Sequence, residues 1–240
     1  MADSERKRVA RREVLAVLGA GIGAALAGCS SPASPTTNGS SGGSGTSATG
    51  CVTTASETAG PYPDKLGMIS NAAFYRRDIT EGRSGTPLSV VLTIVSVGNG
   101  CAPVANATVE VWQCDAAGDY SEYSQPGFNG TGQTFLRGLQ TTDANGQVTF
   151  TTIYPGWYAG RATHIHIEVF VNGASVKTTQ MAFPESTSAS VYTTGVYAAR
   201  GQNPTSNAAD NVFSDGTSTE LAAMAGSAAT GYTATLRIGI

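Results

Sequence analysis

The chain has 240 residues, of which 40% are hydrophobic and 13% are charged, and its formal net charge is −3 at pH 7. This length allows one domain of ordinary size or two small ones. The part of the chain from Cys29 onward has 9 basic and 14 acidic residues and no basic cluster. A surface of that kind excludes the nucleic-acid-binding proteins as a class.

Residues 1–28 have the composition of an export signal. Basic residues at positions 6–12 are followed by an uncharged run over residues 14–27, which is too short to span a bilayer comfortably. Arg11-Arg12-Glu13-Val14-Leu15 resembles a twin-arginine export signal, although a generic basic region for the other export route is an alternative. We expect an exported protein whose mature chain begins at Cys29.

Cys29 closes the sequence Leu26-Ala27-Gly28-Cys29, which resembles a bacterial lipobox. In a lipobox the cysteine is acylated, and the alternative here is a cleaved signal without a lipid. We expect a lipoprotein on the outer face of the cytoplasmic membrane or the cell surface, or a secreted protein. Its contact with the membrane would be made only through the lipid at Cys29.

Residues 29–50 are rich in Ser, Gly and Thr, a composition that cannot bury a core and is typical of a flexible tether. From Cys51 to residue 240, aromatic residues, Val and Ile appear in short runs, which predicts one folded domain over residues 51–240. Outside the cytoplasm, one disulfide among Cys51, Cys101 and Cys114 is expected, with one thiol left over. Their spacing does not choose the pair, and it is not that of a zinc knuckle.

The runs in this part of the chain predict strands, because they are short, β-branched or alternating, and bounded by turn residues such as Asn99-Gly100, Asn145-Gly146 and Asn172-Gly173. The predicted strands cover residues 88–97, 107–112, 147–152, 163–171, 178–183 and 232–238. One helix is predicted over residues 217–225, since Thr217 and Glu220 form a capping box. The fold class expected is all-β, a sandwich of mainly antiparallel strands with little helix and with long loops after Tyr120 and Phe183 that can build a site.

The only two histidines of the chain, His164 and His166, are two residues apart within a predicted strand. Alternate residues of a strand share a face, so both imidazoles point one way while Ile165 and Ile167 point to the core. Their Cα atoms are expected roughly 6 to 7 Å apart, close enough to share one metal ion. A pair of solvent-facing or hydrogen-bonded histidines is the alternative.

Two tyrosines follow predicted strands at glycine-containing turns, Tyr120 after Gly118 and Tyr158 after Gly156, and Arg161 lies close behind the second. Imidazole together with phenolate oxygen is a fairly hard donor set, which suits a ferric ion better than zinc or copper(I). A free tyrosine titrates near pH ~10, so only a strongly charged metal would keep two of them ionised at neutral pH.

These residues carry a resemblance to the intradiol ring-cleavage dioxygenases, a family that includes the catechol and protocatechuate dioxygenases. The resemblance covers nearly all of residues 51–183, is specific because the motifs occur in order, and is weaker afterwards, with residues 210–216 the clearest later match. The motifs are Glu57-Thr58-Ala59-Gly60-Pro61-Tyr62, the stretch Val111 to Tyr120, Phe135-Leu136-Arg137-Gly138 with Thr142-Asp143, and the stretch Pro155 to His166.

The resemblance implies a role for each matching position. Tyr120, Tyr158, His164 and His166 would be the four protein ligands of one mononuclear, non-haem Fe(III) ion. Arg161 would stabilise charge that develops on the ring substrate, Gln180 would line the pocket, and Tyr158 would also take up a proton. Tyr62 is expected either in the core or against substrate, Arg137 and Asp143 in structural roles, and Trp112 and Trp157 in packing.

One departure concerns the loop between Tyr158 and His164, which has only five residues where the familiar cytoplasmic members have more. The compact form resembles an exported subgroup. The implied reaction is cleavage of a catechol-type ring by O₂ between its two hydroxylated carbons, giving a muconate-type diacid without an organic cofactor. The alternatives are a non-catalytic cell-surface β-sandwich binding module and, less favoured, a copper or zinc protein. Neither the particular catechol nor the oligomeric state follows from the sequence.

Overall fold

The structure is a computed structural model, and it describes residues 50–240. The export signal, the lipobox cysteine and nearly all of the tether lie outside the described residues. Among residues 50–240, no helix has the length and apolar character needed to cross a bilayer.

The first sheet has five strands, with β1 at its centre. β1 pairs with β7 in antiparallel fashion and with β11 in parallel fashion, while β10 pairs with β11 and the short β2 pairs with one end of β1. The strands are β1 (Pro87–Ser96), β2 (Ala102–Pro103), β7 (Gln147–Ile153), β10 (Ala223–Ser227) and β11 (Gly231–Gly239).

The second sheet has four strands in the order β6-β3-β8-β9, and all of its pairs are antiparallel. These strands are β3 (Thr108–Trp112), β6 (Arg137–Thr141), β8 (His164–Val171) and β9 (Ala174–Ala182), and a separate hairpin of β4 (Ser124–Gln125) and β5 (Phe128–Asn129) lies in the loop after Tyr120. The six strands predicted from the sequence therefore all exist, with β9 beginning four residues earlier than expected.

The core lies between the two sheets. Leu88, Val90, Leu92 and Ile94 alternate along β1 as buried residues, and they belong to one apolar cluster with Ile165, Ile167 and Val169 of β8. Two sheets that bury one face each against a shared core make a β-sandwich. The predicted all-β sandwich of mainly antiparallel strands is confirmed.

The predicted helix over residues 217–225 is wrong. Residues 217–220 form only one turn, in which the amides of Glu220 and Leu221 both donate to the Thr217 carbonyl, and residues 223–227 then form β10. Glu220 does not cap the turn, because its carboxylate is buried and accepts a hydrogen bond from Thr179 of β9. The helices found among the described residues are α1 (Glu185–Val191) and five 3₁₀ turns, namely Met68–Ser70, Ala72–Phe74, Val97–Asn99, Gly195–Tyr197 and Asn207–Ala209.

A disulfide joins Cys51 to Cys101 and leaves Cys114 as a buried free thiol. The segment that follows Cys51 is also held by the backbone, since the Thr54 amide donates to the Gly239 carbonyl at 3.1 Å and the Gly239 amide donates to the Thr54 hydroxyl at 2.9 Å. This segment, residues 51–62, then runs along β9 to the face of the second sheet that points away from the core.

Candidate functional site

The outward face of the second sheet carries a row of side chains from four strands. The register pairs Arg137 with Trp112, Trp112 with His166, and His166 with Gln180. Residues paired in an antiparallel sheet share a face, so all four side chains stand on the side away from the core. All four are buried, because loops and residues 51–62 cover this face.

The two histidines of β8 direct the same ring atom toward one point. The Nε2 atoms of His164 and His166 are 3.1 Å apart. His164 Nδ1 lies 2.6 Å from the Ala162 carbonyl oxygen, which can only accept, so Nδ1 carries the proton and Nε2 presents a lone pair. An imidazole oriented in this way is suited to bind a metal ion through Nε2.

His166 is fixed by close packing on both sides. The Trp112 ring stacks on it with centroids 4.8 Å apart and an angle of 2° between the planes. On another side lies Gly60, whose φ is +70° and where a Cβ atom would stand 2.9 Å from His166 Cε1. A side chain at position 60 would therefore displace the ring, which explains the glycine in the motif of residues 57–62.

Both histidines are neutral in the fold. Burial, together with the nearby Arg161 guanidinium, lowers the pKa of His164 to about 3, and burial and His164 hold the pKa of His166 well below its usual range. Neutral imidazoles keep the lone pairs that metal binding requires.

The two tyrosines lie on the same side of the histidine pair. The Tyr158 hydroxyl is 3.4 Å from His164 Nε2, and the Tyr120 ring lies 5.7 Å from the Tyr158 ring and 6.2 Å from the His166 ring, centroid to centroid. Tyr62 stacks on Tyr120 at 4.5 Å, so it packs against a predicted ligand. The Tyr120 hydroxyl is buried and has no hydrogen-bond partner within residues 50–240.

That orphaned hydroxyl and the facing imidazole nitrogens are the features expected of a metal centre. A buried hydroxyl without a hydrogen-bond partner costs about 1–3 kcal/mol of stability. Burial raises the pKa of Tyr158 to about 12 and the pKa of Tyr120 well above its usual range. Neither phenol therefore ionises at neutral pH unless it binds a strongly charged metal ion. Two nitrogen and two hard oxygen donors fit a ferric ion.

Arg161 stands beside this donor set and is held by Asp210. Its Nε lies 2.8 and 3.0 Å from the two carboxylate oxygens of Asp210, which also accept the amide hydrogens of Ala162 at 2.7 Å and Val212 at 2.8 Å. Its Nη1 is 3.4 Å from the Tyr158 hydroxyl and 3.5 Å from His164 Nε2. Asp210 thus fixes the guanidinium at Nε, while Nη1 faces the tyrosine and histidine donors.

Gln180 holds the remaining side of the guanidinium. Its side-chain oxygen accepts a hydrogen bond from Arg161 Nη2, and its Nε2 donates to the Thr58 carbonyl at 2.8 Å. Gln180 therefore connects Arg161 to residues 51–62. The structure brings together all six residues that the sequence predicted for this site.

Two contributors were missed by the sequence argument, Asp210 and the Thr58 carbonyl. Both lie in stretches that resembled the family, residues 210–216 and 57–62, but neither residue type alone signals a role. Asp210 is recognisable only from its position beside Arg161.

Cys114 packs beside Trp112 and Tyr120, and burial raises its pKa, so it stays a thiol.

The other residues singled out from the sequence are placed as expected. Arg137 lies in the interior, and Asp143 accepts the amides of Asn145 and Gln147 in a turn. Trp157 packs against the core and donates from its ring nitrogen to the Gly201 carbonyl.

A family model described as Dioxygenase matches residues 60–203, more than half of the chain. The chain belongs to the intradiol ring-cleavage dioxygenase family. Its match to the protocatechuate 3,4-dioxygenase beta chain of Burkholderia cepacia is 36% identical over 126 residues, which is 45% of this chain and 51% of that protein. Its match to catechol 1,2-dioxygenase 2 of Acinetobacter lwoffii is 34% identical over 104 residues, 35% of this chain and 36% of that protein.

This member of the dioxygenase family thus spans about half the length, or less, of these two curated relatives. Among solved structures, an intradiol ring-cleavage dioxygenase from Tetranychus urticae superimposes with a TM-score of 0.71 and 30% identity. That match covers 79% of this chain and 95% of the other. The structural resemblance therefore extends over nearly the whole length of that chain.

Proposed function

We propose that this chain is an Fe(III)-dependent intradiol dioxygenase that cleaves a catechol-type ring between its two hydroxylated carbons with O₂, giving a muconate-type diacid. The observation that carries the proposal is the convergence of two neutral imidazole nitrogens and two phenol oxygens at one buried point. Family membership supports the reaction class, and the donor set supports the metal.

The residues that would hold the ion are Tyr120, Tyr158, His164 and His166. A ferric ion bound there would act as a Lewis acid, which a catechol would chelate through its two oxygens and which would draw electron density from the ring. The packing of Trp112 and Gly60 around His166 keeps its imidazole oriented, and the Ala162 carbonyl fixes the tautomer of His164.

Tyr158 is the tyrosine placed to handle a proton. It is only partly buried, whereas Tyr120 is fully buried, and its hydroxyl lies within reach of Arg161. Ionised by the bound metal, the phenolate oxygen of Tyr158 would take up a proton released by a substrate hydroxyl and become a neutral phenol, and the nearby guanidinium would stabilise the negative charge that develops on the ring during attack by O₂. Asp210 and Gln180 hold the guanidinium in place for that role.

Export and lipid anchoring at Cys29 belong to the same proposal and rest on residues 1–29 alone. The test is mass spectrometry of the N-terminal peptide of the mature protein from membrane fractions. A diacylated or triacylated Cys29 is expected. A retained Met1, or a mature terminus at another residue, would contradict this part of the proposal.

The reaction is tested on the full chain prepared with iron available, from its visible spectrum, its metal content and its products. We expect about one iron per chain, a broad tyrosinate-to-iron band, and a shift of that band on adding catechol without O₂. With ¹⁸O₂, both oxygen atoms should enter a muconate-type product. Tyr120→Phe should lose or strongly alter the band, whereas Tyr75→Phe, at an exposed tyrosine, should not.

A colourless protein that contains zinc or no metal would overturn the proposal and favour a binding module. So would an iron protein whose band does not respond to catechol and that forms no ring-opened product.

A further inference from the structure

A second cluster of possible metal ligands lies outside the site described above. It consists of Glu57, Asp215 and Glu220, each of which offers one carboxylate oxygen, and the three oxygens lie within 4.8 Å of one another. Glu57 belongs to the segment of residues 51–62, Asp215 to the loop after Asp210, and Glu220 to the turn before β10. None of the ion pairs found within residues 50–240 involves these carboxylates.

Glu220 is the innermost member of this cluster and is incompletely satisfied. Its side chain is 0% exposed, Oε1 accepts a hydrogen bond from the Thr179 hydroxyl at 3.0 Å, and Oε2 has no hydrogen-bond partner in the described part of the chain. A buried carboxylate oxygen without a partner loses more than a neutral group would, because ionised groups depend most strongly on solvation or pairing. The cluster thus contains a buried carboxylate oxygen, Glu220 Oε2, that is free to bind a cation.

The charges of the cluster also oppose one another. Burial and then the Asp215 carboxylate raise the pKa of Glu57, while burial and then Glu57 raise the pKa of Glu220 to about 7. A cation held among the three carboxylates would offset this repulsion.

We propose that Glu57, Asp215 and Glu220 bind one Ca²⁺ ion, separately from the histidine and tyrosine site. The donors are carboxylate oxygens only, which hard cations prefer. Ca²⁺ binds oxygen at roughly 2.3–2.6 Å, so two oxygens on one ion lie at most about 5 Å apart, which the observed spacing satisfies. Asp215 is exposed and Glu57 half-buried, so water completes the flexible coordination that Ca²⁺ accepts more readily than Mg²⁺ does.

This ion would join two segments that support Arg161. The Glu57 amide donates to the Thr178 carbonyl of β9 at 2.9 Å, and the next residue, Thr58, accepts the hydrogen bond of Gln180. Asp215 follows Asp210, the partner of Arg161, within one loop. Binding of Ca²⁺ does not depend on the proposed function, but its effect on Arg161 would matter only if that function holds.

The test is calorimetric titration of Ca²⁺ into the full chain after removal of bound calcium with a calcium-selective chelator. We expect one ion per chain, with a Kd between about 10⁻⁶ and 10⁻³ M. Asp215→Asn, at an exposed position that tolerates the change, should weaken binding at least about tenfold, and Glu220→Gln should do the same. Glu185→Gln, at an exposed glutamate elsewhere, should bind as the unaltered chain does.

A second readout is the thermal midpoint. At saturating Ca²⁺ it should rise by about 5 °C or more in the unaltered chain and in Tyr120→Phe, but not in Asp215→Asn. The absence of binding up to about 10 mM Ca²⁺ would overturn the proposal, and so would equal affinity in Asp215→Asn. Because Tyr120→Phe removes a predicted iron ligand, failure of the iron site and failure of the calcium site give different results.

Discussion

Two arginines lie near the two ends of the row of outward side chains: Arg137 is its first member, and Arg161 lies beside its last member, Gln180. They differ in what their guanidinium groups contact. Arg137, at the β6 end, donates through Nε and Nη2 to the Ser121 hydroxyl and to the carbonyls of Ser121 and Tyr62, at 3.0–3.1 Å, and its Nε lies 3.6 Å from the Glu122 carboxylate. Arg161, at the β9 end, has its own carboxylate partner and also faces Tyr158 and His164.

Burial does not separate the two roles. The side chain of Arg137 is 0% exposed and that of Arg161 is 11% exposed, and each pairs with a buried acid. The difference is the direction of the N–H groups that do not contact the acid. Nη2 of Arg137 donates to backbone carbonyls, whereas Nη1 of Arg161 faces the predicted metal ligands Tyr158 and His164. Arg137 is therefore expected to stabilise the fold, and Arg161 the reaction.

The largest expected effect is that of Arg137→Met. It leaves the Glu122 carboxylate buried with the Lys65 amide as its remaining hydrogen-bond donor, and breaking a buried pair on one side costs about 3–5 kcal/mol. Urea unfolding should show this loss in the free energy of unfolding, while kcat/KM of the folded enzyme stays within about threefold. Arg237→Met, at an exposed arginine of β11, is the control and should change little. A stable, inactive Arg137→Met enzyme would break the comparison.

Arg161→Lys should give the opposite result. A lysine keeps a positive charge beside Asp210 but loses the planar fork that reaches Gln180 and the site. We expect kcat/KM for a catechol to fall by about 10²–10³-fold, as for loss of one donor that stabilises developing charge, with a change in the free energy of unfolding of about 1 kcal/mol or less. Steady-state kinetics and urea unfolding on the same preparation check both parts. Full activity in Arg161→Lys would show that charge alone suffices.

Asp210→Asn should have a smaller effect of the same kind. The amide keeps the size of the side chain but removes the charge that orients the guanidinium, and loss of such a supporting partner typically lowers activity about 10–100-fold. The decrease should appear in kcat for a catechol, measured at equal iron content. Asp78→Asn, at an exposed aspartate, serves as the control. An unchanged kcat would mean that Gln180 alone positions Arg161.

The smallest effect concerns Glu110, in the interior near Arg137. Burial and then Asp64 raise its pKa from 4.5 to about 8. The folded state thus binds more protons than the unfolded state between these values, so this contribution to stability is complete below pH 4.5 and is lost as pH rises toward 8. Glu110→Gln should remove this slope, so that its free energy of unfolding increases relative to that of the unaltered chain from pH 5 to pH 8. If the difference in free energy of unfolding between Glu110→Gln and the unaltered chain is the same at pH 5 and at pH 8, the raised pKa is contradicted.

The sequence predicted those parts of the fold that depend on local alternation. The alternating pattern of β8 located its core face and its histidine face together, since a period of two needs no tertiary information. The turn before β10 shows the opposite case. Thr217 and Glu220 form a local capping pattern, but Glu220 is used in a long-range contact with Thr179, which no local pattern reveals.

The same distinction applies to the site. Tyr120, Tyr158, His164 and His166 could be predicted because they occur in ordered motifs with recognisable chemistry. Asp210, the Thr58 carbonyl and the cluster of Glu57, Asp215 and Glu220 could not, because each depends on segments far apart in sequence that meet only in the fold. Helix α1 could not be predicted either, because its Ser and Thr residues give no strong helical signal. Its contact with the rest of the fold is also long-range, since the hydroxyls of Ser188 and Tyr154 are hydrogen-bonded.

The disulfide between Cys51 and Cys101 has a mechanical consequence. Cys51 directly follows the tether predicted over residues 29–50, and its partner lies just before β2, beside the end of β1 in the centre of the first sheet. A pulling force applied to the chain ahead of Cys51 passes through this covalent link into β1 and β2. Residues 52–60, which place Gly60 against His166 and accept the hydrogen bond of Gln180, lie beyond this link, so we expect the site to keep its geometry under such tension.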